Sequence, residues 1–102
     1  MRKYRAFTDV EESYLRDHPE EIDDYVTILF EEYARDGDTA ALLSSLRVLA
    51  RVKGLTKLAE EAGMSRKGVQ KALSEEGNPE FASINAIMHA MGYKLTPQKL
   101  EA

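Results

Sequence analysis

A short segment near the middle of the chain concentrates side chains that could contact nucleic acid. Four of them share one face of a helix, and they are Arg66, Lys67, Gln70 and Lys71. Arg and Lys donate hydrogen bonds to guanine edges and phosphates, and Gln can form a bidentate pair of hydrogen bonds with adenine. Thr56 and Lys57, at the start of a preceding helix, are suited to phosphate contact. These residue types predict a DNA-binding surface.

The segment that must position these side chains spans residues 55–73. Its pattern predicts two short helices, at about 56–62 and 66–74, joined by a tight turn. Gly63 permits the positive φ of that turn, Met64 fills the corner, and Ser65 caps the second helix and is a further candidate DNA contact. The residues expected to face inward are Leu58, Ala59, Ala62, Val69, Ala72 and Leu73.

This spacing predicts a helix-turn-helix whose second helix enters the major groove. An ordinary helical hairpin with a solvated basic face is the simpler alternative. The glycine corner, the capping serine and the absence of carboxylates from the second helix favour the helix-turn-helix. Gly68 departs from the pattern, because glycine weakens a helix by about 1 kcal/mol relative to alanine.

Charge is divided unevenly along the chain. The net charge of −4 over 102 residues disfavours DNA binding when taken alone. Residues 1–38 hold 5 Lys/Arg against 12 Asp/Glu, whereas residues 44–74 hold 7 against 2. An acidic first third joined to a basic middle predicts two surfaces with different partners.

The composition argues against several other kinds of site. The chain has no cysteine, which excludes disulfides and thiolate chemistry. His18 and His89 are far apart and lack ligand spacing, so we expect neither a metal nor a cofactor. No phosphate loop or nucleophile–base pair is present, so we do not expect an enzyme. The sequence has no secretory signal and no apolar run that approaches the length of about 20 residues needed to cross a bilayer. We therefore expect a cytoplasmic protein without a membrane partner.

Hydrophobic periodicity predicts an all-α fold. An acidic helix is predicted from Pro19 to Asp36, because apolar residues recur there at helical spacing. Those residues are Ile22, Tyr25, Val26, Leu29, Phe30 and Tyr33. Gly37 is expected to end this helix in a left-handed cap, and Asp38 to cap the next one, at about 39–53.

Shorter elements are predicted at both ends. Asp9 and Glu12 resemble a capping box for a helix through Leu15, and Ser83 is expected to cap a last helix that ends at Gly92. Alternation over residues 93–95 is compatible with a short C-terminal strand. We divide the chain into an N-terminal arm and acidic helix (1–38), a DNA-binding core (39–95) and a tail (96–102), all within one compact domain.

These residues together resemble the Xre-like helix-turn-helix antidote proteins of bacterial addiction modules, antitoxins of the HigA type. The segments that carry the resemblance read GLTKLAEEAGMS (54–65), KALSEEGNPEF (71–81) and AMGYKL (90–95). The second segment is typical of a small subgroup described as probable addiction module antidote proteins. The resemblance covers residues 7–95 and implies a lambda-repressor-like helix-turn-helix bundle with an extra N-terminal acidic helix.

The resemblance also implies partners. Such antidotes bind and silence a small basic toxin of the RelE/HigB group, and they repress their own operon as homodimers on operator DNA. The uneven distribution of charge along the chain agrees with a basic toxin that binds the acidic N-terminal segment. A stand-alone Xre-family regulator without a toxin is the alternative, since it would keep the same DNA-binding helix.

Three further features each keep two interpretations. The acidic helix either binds a toxin or exposes its charges to water. The basic arm with Arg2, Lys3 and Arg5 either enters a minor groove or forms a loose terminus. The sequence Gly77-Asn78-Pro79 either seats a phosphate or reverses the chain.

Overall fold

The computed structural model describes residues 8–74 and 78–101, and within these residues the only regular elements are helices. They are α1 (Thr8–Asp17), α2 (Ile22–Asp36), α3 (Thr39–Lys53), α4 (Leu55–Ala62), α5 (Arg66–Ala72) and α6 (Phe81–Ala90), and a 3₁₀ turn at Pro19–Glu21 leads into α2. The predicted all-helical fold is therefore confirmed for this part of the chain. The predictions made for Arg2, Lys3, Arg5 and Gly77 lie outside the described residues.

The core is built around α3, which contacts α1, α2 and α4, while α6 packs on α4 and α5. Helices α2, α3 and α6 supply most of the buried side chains, and those of α2 belong to its predicted apolar stripe. The buried cluster is Leu15, Ile22, Val26, Leu29, Leu43, Leu46, Leu49, Ala50, Leu58, Ala59, Val69, Leu73, Ile87, Met88 and Met91. The other four helices each contact α3 or α4, and α5 is held between α4 and α6.

The junction between α2 and α3 forms as its residues predict. Gly37 adopts φ 66° and donates its N–H to the Tyr33 carbonyl at 2.7 Å, which closes α2 with a left-handed residue. The Asp38 carboxylate accepts a hydrogen bond from the Ala41 N–H at 3.0 Å and so caps α3. Local signals alone set this helix boundary.

The short strand considered for the C-terminal end does not form. Residues 93–101 have no regular secondary structure, and no described strand lies beside them to complete a ladder. Tyr93 instead helps to close α6, because its N–H bonds to the Met88 carbonyl at 2.9 Å beside Gly92, which has φ 98°. Its hydroxyl donates to Asp23 Oδ1 at 2.6 Å and ties this end of the chain to α2.

Two predicted helix starts are wrong. Ser83 does not cap α6, because the Glu80 carbonyl already accepts hydrogen bonds from the Ser83 and Ile84 N–H groups and the helix begins at Phe81. Asp9 lies inside α1, which begins at Thr8 and continues to Asp17. The bounds of α3 are as predicted, whereas α2 begins three residues later than predicted because Pro19–Glu21 form a 3₁₀ turn. The other boundaries differ from the predicted ones by at most two residues, which is the ordinary uncertainty of helix ends.

Candidate nucleic-acid interface and neighbouring surfaces

The corner between α4 and α5 is closed by backbone hydrogen bonds. Gly63 adopts φ 71°, its N–H bonds to the Glu60 carbonyl at 3.2 Å, and the Met64 N–H reaches the Ala59 carbonyl at 2.9 Å. This pair of bonds is the Schellman arrangement that ends a helix on a left-handed glycine. A side chain at residue 63 would meet no atom within 4 Å, so the backbone conformation is what favours glycine here.

The second helix of the pair is fixed by a cap and by two buried side chains. Ser65 is extended, and its hydroxyl accepts a hydrogen bond from the Gly68 N–H at 2.9 Å. Val69 and Leu73 are fully buried in the core cluster. Because these anchors hold one side of α5 against the core, the opposite side must face outward.

All seven residues predicted to contact DNA are exposed. They are Thr56, Lys57, Ser65, Arg66, Lys67, Gln70 and Lys71. The structure brings Arg66 and Gln70 together on the wall of one cleft. It places Lys57 elsewhere, in a small depression beside Lys53 and Glu61. Contact with DNA by these seven residues stays a prediction.

The cleft beside Arg66 and Gln70 is formed by α1, α3 and α5 and has a volume of about 340 Å³. Among the described residues, its lining combines apolar side chains with four arginines and one carboxylate. Those charged residues are Arg16, Arg47, Arg51, Arg66 and Glu12. We call this feature the arginine cleft. Its excess of guanidinium groups suits phosphate oxygens.

Glu12 joins α1 to the rest of the arginine cleft. Its carboxylate accepts hydrogen bonds from Arg51 Nε at 2.9 Å and from Arg16 at 2.6 Å. Burial raises the pKa of Glu12, but the hydrogen bonds and charges of Arg51 and Arg16 together outweigh it and hold the pKa below its ordinary value. The carboxylate therefore stays ionised and holds α1 against α3.

Three arginines of this cleft were not among the predicted site residues. Arg47 and Arg51 are four residues apart on α3, a spacing that puts both on one helix face and is visible in the sequence. Arg47 also donates to the Leu73 carbonyl at the end of α5, at 2.9 Å. Arg16 reaches the cleft only because α1 folds back onto α3, and no local signal reports that contact.

A second groove lies on the other side of α1, between α1, the 3₁₀ turn and α2, with a volume of about 330 Å³. Its lining combines apolar side chains with three carboxylates. The lining residues are Val10, Glu11, Tyr14, Leu15, Glu21, Asp24, Tyr25 and Ile28. We call it the acidic groove. Val10 is 66% exposed, Tyr14 45% and Ile28 52%, so its walls are apolar surface open to solvent.

Local contacts organise the rim of the acidic groove. The Tyr14 hydroxyl donates to Glu21 Oε2 at 2.6 Å, and this hydrogen bond raises the pKa of Tyr14. The Tyr14 ring stacks on the His18 ring with centroids 4.1 Å apart. Burial raises the pKa of Glu11, because its charged form is partly withdrawn from water. The rim is thus already arranged around a partly desolvated carboxylate.

The described residues contain neither a metal-binding cluster nor a membrane-spanning helix. No group of three or more His, Asp or Glu side chains among residues 8–74 and 78–101 is placed to hold a metal ion. None of the described helices is long and apolar enough to cross a bilayer.

Comparison with known proteins identifies the family. The chain is 32% identical over 74 residues to an uncharacterized protein of Haemophilus influenzae, an alignment that spans 72% of this chain and 76% of that protein. No solved structure matches the chain. The sequence profile described as "probable addiction module antidote protein" matches residues 6–99. Because that match spans nearly the whole chain, the protein belongs to the family of probable addiction module antidote proteins.

Proposed function

We propose that this antidote is a DNA-binding antitoxin that represses its own operon and neutralises a RelE/HigB-like toxin. In this proposal α4 and α5 form an Xre-like, HigA-type helix-turn-helix, and residues 39–95 form a lambda-repressor-like core. α2 is then the additional acidic helix. The protein acts in the cytoplasm, where its operator lies, and contributes no catalytic chemistry of its own.

The observation that carries the DNA-binding part is the two-sided character of α5. Val69 and, directly after the helix, Leu73 are fully buried, whereas Arg66, Lys67, Gln70 and Lys71 on the seven-residue helix are exposed. A helix that reads the major groove needs a fixed rear side and a front of side chains that donate to base edges. The arginine cleft beside this front would add sequence-independent attraction for phosphates.

The homodimer of this proposal has one structural support. Phe81, at the start of α6, is 75% exposed, and covering an aromatic side chain of this size contributes about 2 kcal/mol. A dimer of helix-turn-helix units contacts two half-sites about 34–36 Å apart on one side of the duplex. We therefore expect an operator with two-fold symmetry.

The decisive experiment measures binding of the purified chain to the DNA upstream of its own gene by fluorescence anisotropy. Arg66→Ala and Gln70→Ala should each cost about 1–3 kcal/mol on that DNA and should discriminate less well against a scrambled duplex. Lys94→Ala is the matched control, because Lys94 is an exposed cation beyond α6. We expect Lys94→Ala to bind as the unmodified chain does.

Salt gives an independent readout of the same proposal. Affinity for the upstream DNA should fall steeply as salt rises, because counterions are released from each phosphate contacted. Binding by both α5 variants that equals that of the unmodified chain would remove α5 as the reading helix. A chain that binds no DNA at any salt concentration would refute the repressor altogether and leave only the antidote role.

A further inference from the structure

The acidic groove is a different surface from the proposed DNA interface. The proposed reading helix α5 contributes no residue to it, and its walls come from α1, the 3₁₀ turn and α2. Among its lining residues are three of the large hydrophobic side chains that the structure leaves most open to water, Val10, Tyr14 and Ile28. Apolar surface gathered in one concave place is typical of a site that binds another molecule.

The negative charge of this groove favours a positively charged binding partner. Among the described residues, its lining contains Glu11, Glu21 and Asp24 and no Lys or Arg. An occupant with apolar side chains flanked by Lys or Arg would bury against Val10 and Ile28 and place its cations beside the three carboxylates. Neutralising the partly buried Glu11 in this way would offset the cost of its desolvation.

The same charges argue against two other occupants. Nucleic acid would bring phosphates next to three carboxylates. A second copy bound across a two-fold axis would present the same acidic rim to itself, since a two-fold contact uses the same patch on both chains. Charge complementarity therefore favours a cationic protein surface.

We propose that the acidic groove is where this antidote receives its toxin, through a basic amphipathic helix of the toxin that lays its apolar side between α1 and α2. This inference rests on the proposed function, which supplies a basic toxin as the partner. It adds the surface, the residues and the chemistry of the contact. Helices of this kind bind apolar grooves through residues spaced three and four apart.

The test uses the full chain and the protein encoded by the gene adjacent to its own, with affinity measured by biolayer interferometry. Ile28→Gln removes apolar contact in the groove, and Asp24→Lys reverses one charge of its rim. Each should weaken toxin binding about tenfold or more, as expected for residues at the centre of an interface. Glu80→Lys is the control, because it makes the same charge reversal at an exposed residue just before α6, a helix that packs on α4 and α5, and lies outside the lining of the groove.

Ile28 and Asp24 are both exposed, so the variants should keep the helical circular-dichroism spectrum and the DNA affinity of the unmodified chain. Toxin binding that is unchanged in Ile28→Gln and Asp24→Lys, or that Glu80→Lys weakens to the same extent, would refute the groove as the toxin site without affecting the proposed repressor. A change of oligomeric state in the two groove variants would assign the groove to a second copy and overturn it as well. If the unmodified chain does not bind the neighbouring protein, the proposed toxin partner fails together with the groove.

Discussion

Gly68 offers a sharp test of how the cap of α5 works. It lies inside the helix, where glycine costs about 0.8–1.0 kcal/mol relative to alanine, so Gly68→Ala would ordinarily stabilise the protein by that amount. Two contacts in the structure oppose this gain in stability. A Cβ at this position would lie 3.1 Å from Ser65 Oγ, the atom that accepts the Gly68 N–H, and 3.7 Å from Met64 Cε.

The two effects should nearly cancel. A contact of 3.1 Å is tight enough to displace the Ser65 hydroxyl by a few tenths of an ångström, and loss of an N-cap bond costs about 1 kcal/mol. We expect Gly68→Ala to change the free energy of unfolding by about zero. In a Ser65→Ala background the opposing hydroxyl is gone, and the same substitution should recover its full gain of about 1 kcal/mol.

A double-mutant cycle followed by urea unfolding and far-UV circular dichroism measures this difference. Ser65→Ala alone should destabilise the protein by about 1 kcal/mol, and the double variant should return close to the unmodified chain. A gain of about 1 kcal/mol from Gly68→Ala in both backgrounds would show that the Ser65 hydroxyl moves freely. A loss of similar size in both would show that glycine is required for a reason other than the cap.

Three further predictions test other parts of the structure. Glu12→Gln should lower the free energy of unfolding by about 1 kcal/mol at neutral pH. Because the pKa of Glu12 is lowered in the folded protein, this contribution is present above about pH 4.3 and is lost as the pH falls. The urea midpoints of the variant and the unmodified chain should therefore converge in acid. Tyr93→Phe should cost about 1 kcal/mol through its bond to Asp23. Burial and this bond raise the pKa of Tyr93, so its contribution is complete below about pH 10 and lost as the pH rises further, and parallel pH profiles of the two proteins would contradict this assignment. Phe81→Gln should shift the oligomer towards monomer in light scattering, and an unchanged mass would exclude Phe81 from the dimer contact.

Local chemistry explains which parts of the fold were predictable from the sequence. Asp38 and Ser65 each cap their helix with a bond to an N–H only three residues away, and Gly37 and Gly63 each adopt the positive φ expected of them. The predicted bounds of α3, at about 39–53, match the structure. Caps and turns of this kind depend only on residues within one helical turn, so the local sequence is enough to predict them.

Contacts between distant segments explain what was not predicted. Glu12 reaches Arg51 across 39 residues, and Tyr93 reaches Asp23 across 70. The first contact creates the arginine cleft, and the second fixes the C-terminal residues without a strand. The exposure of Val10 and Ile28 is likewise a property of packing, because their residue types alone favour burial.

α1 connects the two surfaces to which partners are assigned. Glu12 and Arg16 border the arginine cleft beside α5, whereas Val10, Glu11 and Tyr14 border the acidic groove, and the intervening Leu15 is buried. A partner that shifted α1 from the groove side would also shift the Glu12 carboxylate, which is bonded to Arg51 beside the proposed reading helix. Such coupling is an equilibrium property and is therefore reciprocal. If the proposed toxin and operator both bind, any factor by which one changes the affinity of the other must apply in both directions, and Glu12→Gln would test whether the ion pair with Arg51 connects the two surfaces.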